Sequence, residues 1–257
     1  MGDAKQLIVR PISSADANRI IKSLHYSGKV VQNSQLHLGV FLNGRCGGAM
    51  SFGPSLDKRK IQGLVDGTLW NGFIELNRMA FADWLPRNGE SRCIAYAMRW
   101  IKKTYPQIQW VISFADGTQC GDGTIYRASG FVLTGIKENS DCMLTEKSGV
   151  VHTMTVKSSK TLMSKFGNWK TAMQQTHGNF APTIGFQLRY IYFIDPSARD
   201  RLTVPILPFS EIARRGAGMY KGKPRVGSAD SGTPEIQSGG GGATPTPTLS
   251  ENDQVPT

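Results

Sequence analysis

Apolar positions divide the first half of the chain into short strand and helix units. Residues 7–12, Leu-Ile-Val-Arg-Pro-Ile, read as a strand. Ala17, Ile20, Ile21 and Leu24 then fall at helical spacing behind a cap at Ser13 or Ser14. Residues 36–42, Asn43-Gly44 and a glycine-rich partner ending at Phe52 predict a hairpin with a primed turn. Residues 53–71 read as a loop and residues 73–81 as a strand. A turn over 86–91 enters a helix at about 91–103, with Ile94, Met98 and Ile101 on one face and Lys102-Lys103 at its dipole-negative end. An apolar strand, Trp110-Val111-Ile112-Ser113-Phe114, runs into the polar, glycine-rich stretch 115–124. A short helix bearing Tyr126 follows, then Gly130 and a new apolar run from Phe131.

The second half is less periodic. Residues 150–157 alternate weakly, like a strand. Residues 160–212 are mixed and aromatic-rich, and they end in a proline-bearing segment, 202–209, of edge or wrapping type. Composition changes near Gly216. Residues 213–225 read as a basic arm. Residues 226–257, with Gly239 to Gly242 and Thr-Pro repeats, read as a disordered tail. Residues 1–212 therefore form the expected folded domain, of mixed α/β (α+β) class.

The chain has 257 residues and a net charge of +11. Four acidic and no basic residues follow Arg225, so the body alone carries +15. Such an excess favours a polyanionic partner, although basicity without a partner stays open. No apolar run approaches the ~20 residues of a membrane span, and the N-terminus lacks a signal pattern. A cytoplasmic protein without a membrane partner is the expectation. Cys46, Cys93, Cys120 and Cys142 are scattered, which excludes a zinc ribbon and points to reduced thiols.

Candidate chemistry concentrates where strands end. Asp116 closes an apolar strand above a glycine loop, where a carboxylate serves as general base, as metal ligand, or simply as acceptor for loop amides. Asp122 reads as a turn or cap. Tyr126 is a proton donor, a stacking group or a half-buried helix tyrosine. His25-Tyr26 follows the first helix, so His25 is a base, a metal ligand or a partner of the helix dipole. Arg78 sits inside an apolar strand and needs a phosphate, a substrate carboxylate or an acidic partner. On a regular strand it faces away from Glu75. Ser91 most simply caps its helix. Lys58, Arg59 and Lys60 read as DNA phosphate contacts or as a solvated charged loop.

The segment Tyr126-x-x-x-Gly130-Phe131, after a strand and a turn-led helix, resembles the GNAT acyltransferase superfamily. That resemblance implies a central mixed, mostly antiparallel sheet flanked by helices. It also implies a coenzyme A pyrophosphate on the turn before the helix, and Tyr126 as proton donor to a departing thiolate. The superfamily's Arg-x-x-Gly-x-Gly positions fall on Asn88, Ser91 and Cys93.

A narrower likeness covers nearly all of residues 20–225. It rests on Asp57-Lys58-Arg59-Lys60-Ile61-Gln62-Gly63, Phe73-Ile74-Glu75-Leu76-Asn77-Arg78-Met79-Ala80-Phe81, the block from Ala115 to Phe131, and Asp195-Pro196-Ser197-Ala198-Arg199. In these runs the chain is similar to the Mom proteins of Mu-like bacteriophages. The resemblance implies conversion of adenine N6 in double-stranded DNA to N6-(methylcarbamoyl)adenine, in the cytoplasm of the infected host, as protection against restriction. It implies a family-specific extension over 160–212 and acetyl-coenzyme A as a ligand. By matched position it points at His25, Tyr26, Arg78, Ser91, Asp116 and Tyr126. Arg87 and Gly89 join Ser91 and Arg78 as expected cofactor contacts. The product carries N6–CH2–C(O)NH2, which acyl transfer alone does not make. Iron held by His25 with Tyr26 or Asp116 is one remedy. Two other readings stay open: an ordinary GNAT acetyltransferase for a small-molecule or protein amine, and a non-catalytic DNA-binding protein. A homodimer is compatible with the sequence.

Overall fold

Ser13 starts the first helix of the computed structural model, its hydroxyl accepting the Asp16 amide at 3.1 Å. The structure describes residues 3–220; the 226–257 tail and residues 221–225 of the arm lie outside the described residues. Strand β1 (Ile8–Pro11) precedes helix α1 (Ser14–Leu24). Strands β2 (Leu36–Leu42) and β3 (Arg45–Gly53) turn on Asn43 and Gly44, at φ 50° and 78°. Positive φ at both positions is what a primed two-residue hairpin requires.

Then come α2 (Lys58–Gln62), β4 (Phe73–Phe81), α3 (Gly89–Thr104) and β5 (Trp110–Asp116). Helix α4 (Thr124–Ala128) leads to β6 (Val132–Thr145) and β7 (Gly149–His152). Helices α5 (Thr153–Lys157), α6 (Lys160–Phe166) and α7 (Trp169–His177) follow. Strand β8 (Phe180–Phe193), a 3-10 segment (Pro196–Arg201) and α8 (Ser210–Arg214) complete the described chain.

The eight strands form one sheet in the order β1-β2-β3-β4-β5-β8-β6-β7. Only β4 and β5 are parallel; every other neighbouring pair is antiparallel. This is the expected mixed, mostly antiparallel sheet with flanking helices. Ala49 packs with Ala17 and Ile21 of α1, while Met50 packs with Ile94, Ala97, Met98 and Ile101 of α3. Adjacent strand residues point to opposite faces, so α1 and α3 cover opposite sides of the sheet.

Two irregularities shape the sheet centre. Pairing of β4 with β5 runs from Phe73↔Trp110 to Leu76↔Ser113 and then stops, although β4 continues to Phe81 and β5 to Asp116. The strands part beyond Ser113, leaving their facing backbone edges open. The second is a bulge in β4. Ser51 opposes Arg78 and Phe52 opposes Leu76, so Asn77 is the extra residue. Ile74 and Leu76 face α3 before it, and Met79 and Phe81 face α3 after it. The bulge therefore inverts the alternation.

The structure corrects several expectations. Residues 58–62 are helical, with Asp57 Oδ1 accepting the Lys60 amide at 3.4 Å, so the basic run is not in a loop. Residues 150–157 are half strand and half helix, because His152 Nδ1 accepts the Met154 amide and starts α5. The long helix begins at Gly89, two residues before the expected start. The aromatic stretch after 180 is a 14-residue strand inserted between β5 and β6. Its buried Phe186, Leu188 and Tyr190 alternate, a period-two signal present in the sequence.

Candidate active site

The gap between β4 and β5 gathers side chains from four separate segments. Ser113, the last β5 residue paired with β4, donates its hydroxyl to Leu76 O at 3.1 Å. It shares a 2.8 Å hydrogen bond with the Tyr126 hydroxyl. Tyr126 arrives from α4, stacked on Tyr190 at 5.1 Å and edge-on to Phe131 at 5.3 Å. Burial pushes its phenol up to about 12, Cys120 and Glu75 push the same way, and the Ser113 bond and Arg78 only partly offset them. At neutral pH it is a protonated hydroxyl with a proton to give.

Asp116 ends β5. Its Oδ1 accepts the amides of Thr118 at 2.9 Å and Gln119 at 3.1 Å, which folds the glycine-rich turn around the carboxylate. Its Oδ2 is met by the Tyr26 hydroxyl at 3.2 Å. Tyr26 is exposed as a residue, with its hydroxyl turned inward; burial of that group, then the Asp116 charge, hold its pKa well above the usual phenol value. The thiol of Cys120 lies beside the pair. Burial and Asp116 push it up to about 12, so it stays protonated.

The turn after Asp116 has little freedom. Gly123 sits at φ +70°, and a Cβ there would meet the Tyr190 hydroxyl at 2.7 Å. Tyr190 donates that hydroxyl to Asp122 O, fastening the turn to β8. Asp122 Oδ1 accepts the Thr124 amide at 3.0 Å, closing the turn that leads into α4, whose cap position is Gly123.

His25 ends α1, with its amide on Ile21 O. Its Nδ1 accepts the Ser27 amide at 3.2 Å and lies 2.8 Å from the Ser27 hydroxyl. A backbone amide can only donate, so the neutral ring carries its proton on Nε2. Burial, then the Arg78 charge, depress the ring to about 4, which keeps it neutral above that pH. His25 thus carries a hydrogen-bond donor at Nε2 and is not a ready base.

Arg78 is the cation at the centre. Its Nε donates to Lys29 O at 3.2 Å and its Nη1 to Asn77 O at 2.8 Å, tying the loop after α1 to the β4 bulge. Because the bulge inverts the alternation, Glu75 and Arg78 share a face, contrary to the regular-strand expectation. Arg78 makes no ion pair among the described residues. Burial raises the Glu75 carboxyl, against the pull of Ser55, Asn77 and Arg78.

The Mom protein family matches residues 6–211, a span holding every residue of this cluster. The chain belongs to the Mom protein family. A relative from Escherichia phage Mu, named methylcarbamoylase mom, is 37% identical over 205 residues, 79% of this chain and 82% of the relative. Among solved structures, the Mom-family chain is similar to the IAA acetyltransferase of Bacillus cereus, with TM-score 0.42, 11% identity, and coverage of 73% of this chain and 99% of that one. The ribosomal-protein-S18-alanine N-acetyltransferase of Escherichia coli gives 0.40, 10%, 73% and 94%. An acetyltransferase from Salmonella typhimurium, solved with acetyl-CoA, gives 0.42, 10%, 74% and 95%.

Of the sequence-derived residues, His25, Tyr26, Arg78, Asp116 and Tyr126 of this Mom-family chain come together. Ser91 lies inside the first turn of α3 and donates its hydroxyl to Asn88 O at 3.2 Å, so it does not cap the helix. The cap position is Asn88, at φ 63° and without a side-chain hydrogen bond. Arg87 and Gly89 flank it, and Gly89 is buried against Leu7. Lys58, Arg59 and Lys60 lie on α2, with Lys58 held 4.4 Å over the Trp70 ring. Sequence reasoning missed Glu75, Ser113 and Cys120. Ser113 is a lone hydroxyl in an apolar strand, and that was a usable signal.

The donor set does not fit iron. Nδ1 of His25 is taken by Ser27, Nε2 carries the proton, and the Asp116 oxygens are taken by two amides and Tyr26. Among the described residues no group of three His, Cys, Asp or Glu side chains could hold a metal ion. A phosphate-bearing cofactor fits better. The first-turn amides of α3 lack a side-chain cap, and a helix N-terminus of this kind receives anions.

Proposed function

We propose that this chain converts adenine N6 in phage DNA to the N6-methylcarbamoyl form. The 37% identity to methylcarbamoylase mom, together with the family match over residues 6–211 that holds the whole cluster, carries this reading. The adenine amine is a weak nucleophile buried in the base pair, so the base is flipped out to reach the site. Asp116 Oδ2, which carries no backbone amide, takes a proton from N6 as the new carbon–nitrogen bond forms. Tyr26 gives way to the amine, while the Thr118 and Gln119 amides keep the carboxylate oriented through Oδ1. His25, a donor through Nε2, holds an acceptor atom of the substrate. Tyr126, neutral and buried at the strand gap, would protonate the thiolate that the amide nitrogen, not N6, displaces from the carbonyl.

Acetyl-coenzyme A would lie with its phosphates at the α3 N-terminus, against Arg87 and the amides from Gly89 to Ser91, and would supply the two-carbon unit; joining its methyl carbon to N6 removes one hydrogen from each and takes a two-electron oxidant as co-reactant, while an ammonia-level nitrogen donor displaces the thiolate to give the amide. No helix among the described residues is long and apolar enough to cross a membrane. The reading places the chain with phage DNA in the bacterial cytoplasm.

Nucleoside mass spectrometry on DNA from cells expressing the chain tests it. A modified deoxyadenosine is expected with the unaltered chain and absent with Asp116→Ala. An unchanged deoxyadenosine pool, alongside acetylation of some other amine, would overturn it.

A further inference from the structure

Between Glu146 and Asp195 lies the longest acid-free stretch of the described chain. Residues 147–194 contain no Asp or Glu, and their charged side chains are Lys147, Lys157, Lys160, Lys165, Lys170 and Arg189. Arg189 is inside the sheet, bonded to Thr134. The five lysines are exposed and lie on the β6–β7 turn and on α5, α6 and α7. None makes an ion pair among the described residues. Elsewhere the exposed cations Arg19, Arg127, Arg214 and Arg215 have carboxylate partners.

The helices carrying these lysines share a small core with the ends of three strands. Val156, Ala172 and Met173 are buried with Leu162, Phe166 and Trp169, and with Met143 of β6, Val151 of β7 and Phe180 of β8. The Lys157 ammonium sits 4.9 Å over Trp169. The unit is also fastened to the candidate active site on two sides. Lys29, in the loop following His25 and Tyr26, donates to Ser158 at the end of α5 at 3.2 Å. Gln119, whose amide bonds Asp116, donates its side chain to Val150 O in β7.

We propose that α5, α6 and α7 form a second, phosphate-gripping surface for duplex DNA, set beside the adenine site. This rests on DNA being the substrate. An enzyme that extracts one base from a duplex must hold the flanking sugar-phosphate backbone, and lysines without carboxylate partners, on helices anchored to the end of the sheet, meet that need. The surface is separate from the Lys58-Arg59-Lys60 run, whose first member is held over Trp70 and bonded to Asn71 at 3.5 Å. It grips without reading bases, because lysine at phosphate carries no sequence information.

The test is fluorescence anisotropy of the full chain with a short labelled duplex at several salt concentrations. Three chains are compared: unaltered, Lys160→Gln/Lys165→Gln/Lys170→Gln, and Lys102→Gln/Lys103→Gln on the C-terminal turn of α3. The slope of log affinity against log salt is expected to fall by about 2.7 in the triple variant, roughly 0.9 per lost contact. It should stay unchanged in the α3 variant, and return when the three lysines are replaced by arginine. Should the triple variant fail to fold, the single variants each show a fall of about 0.9. An unchanged slope in the triple variant, or an equal fall in the α3 variant, overturns the proposal while leaving DNA as substrate. If the unaltered chain neither binds duplex nor modifies adenine, the functional reading itself is overturned.

Discussion

The Tyr26 hydroxyl meets Asp116 Oδ2 at 3.2 Å, across 90 residues of chain. The contact closes the loop after α1 onto the end of β5 and leaves Oδ1 to the turn amides. The two oxygens of one carboxylate thus have separate tasks. Asp116→Asn keeps an oxygen for Thr118 and Gln119 but removes the base. It should lower adenine modification by about 10²–10⁴-fold, the usual weight of a positioned base. Its melting temperature should move little. Asp116→Ala loses both tasks and should also be less stable by about 1–2 kcal/mol. Equal activity in Asp116→Asn and the unaltered chain, read by nucleoside mass spectrometry, would remove Asp116 from the chemistry.

Tyr126→Phe leaves the stacking on Tyr190 and removes only the hydroxyl shared with Ser113. Modification should fall by about 10²-fold or more, with a stability loss of about 1 kcal/mol. Ser113→Ala should match that stability loss and retain most of the activity. Because burial holds the phenol near 12, activity should show no alkaline loss from this group below about pH 11. A titration in the unaltered chain near pH 9 that vanishes in Tyr126→Phe would contradict the assignment.

His25 makes stability depend on acid. Its folded pKa is about 4 against 6.5 for the free side chain, with burial the main cause. The unfolded chain therefore binds more protons between those values. The stabilisation is complete above about pH 6.5 and is lost as pH falls toward 4. Allowing for partial solvent screening, it is on the order of 2 kcal/mol. His37 and His177 are depressed in the same direction, so they add to the slope. His25→Gln should remove part of the loss seen by urea unfolding between pH 7 and pH 5. A variant with the full acid sensitivity would show that His25 is solvated.

Arg78 reaches two carbonyls with one rigid fork. Lysine has a single ammonium and cannot span Lys29 O and Asn77 O in the same way. Arg78→Lys should loosen the loop holding His25 and Tyr26, seen as faster hydrogen exchange over residues 25–33, and reduce modification at least about tenfold. Unaltered exchange in that loop would rule out the tethering role.

Local features were legible in the sequence. Ser13, Asn43-Gly44 and the Ile94, Met98 and Ile101 face announce their structures through nearest neighbours, and the glycine turn after Asp116 does so too. The Mom-like motifs drew His25, Tyr26, Arg78, Asp116 and Tyr126 into one candidate set, and the fold brings them together. What stayed hidden depends on distant chain. The β4 bulge exists only in register with β3, so the shared face of Glu75 and Arg78 could not be read from spacing. Ser113 gains its role from Leu76 and Tyr126. The ring of His25 looked like a base until Ser27 fixed its proton.

The place of β8 bears on how the protein is born. It is the last strand among the described residues and it pairs with both β5 and β6, opposing Asp116 with Gln187. A chain leaving the ribosome N-terminus first has both those edges unpaired until residue 193 emerges. Tyr190 arrives in the same strand and brings the fastening of the Asp122 turn and the ring under Tyr126. Every shorter nascent chain lacks these contacts, so the candidate site is assembled only once residue 193 has been synthesised.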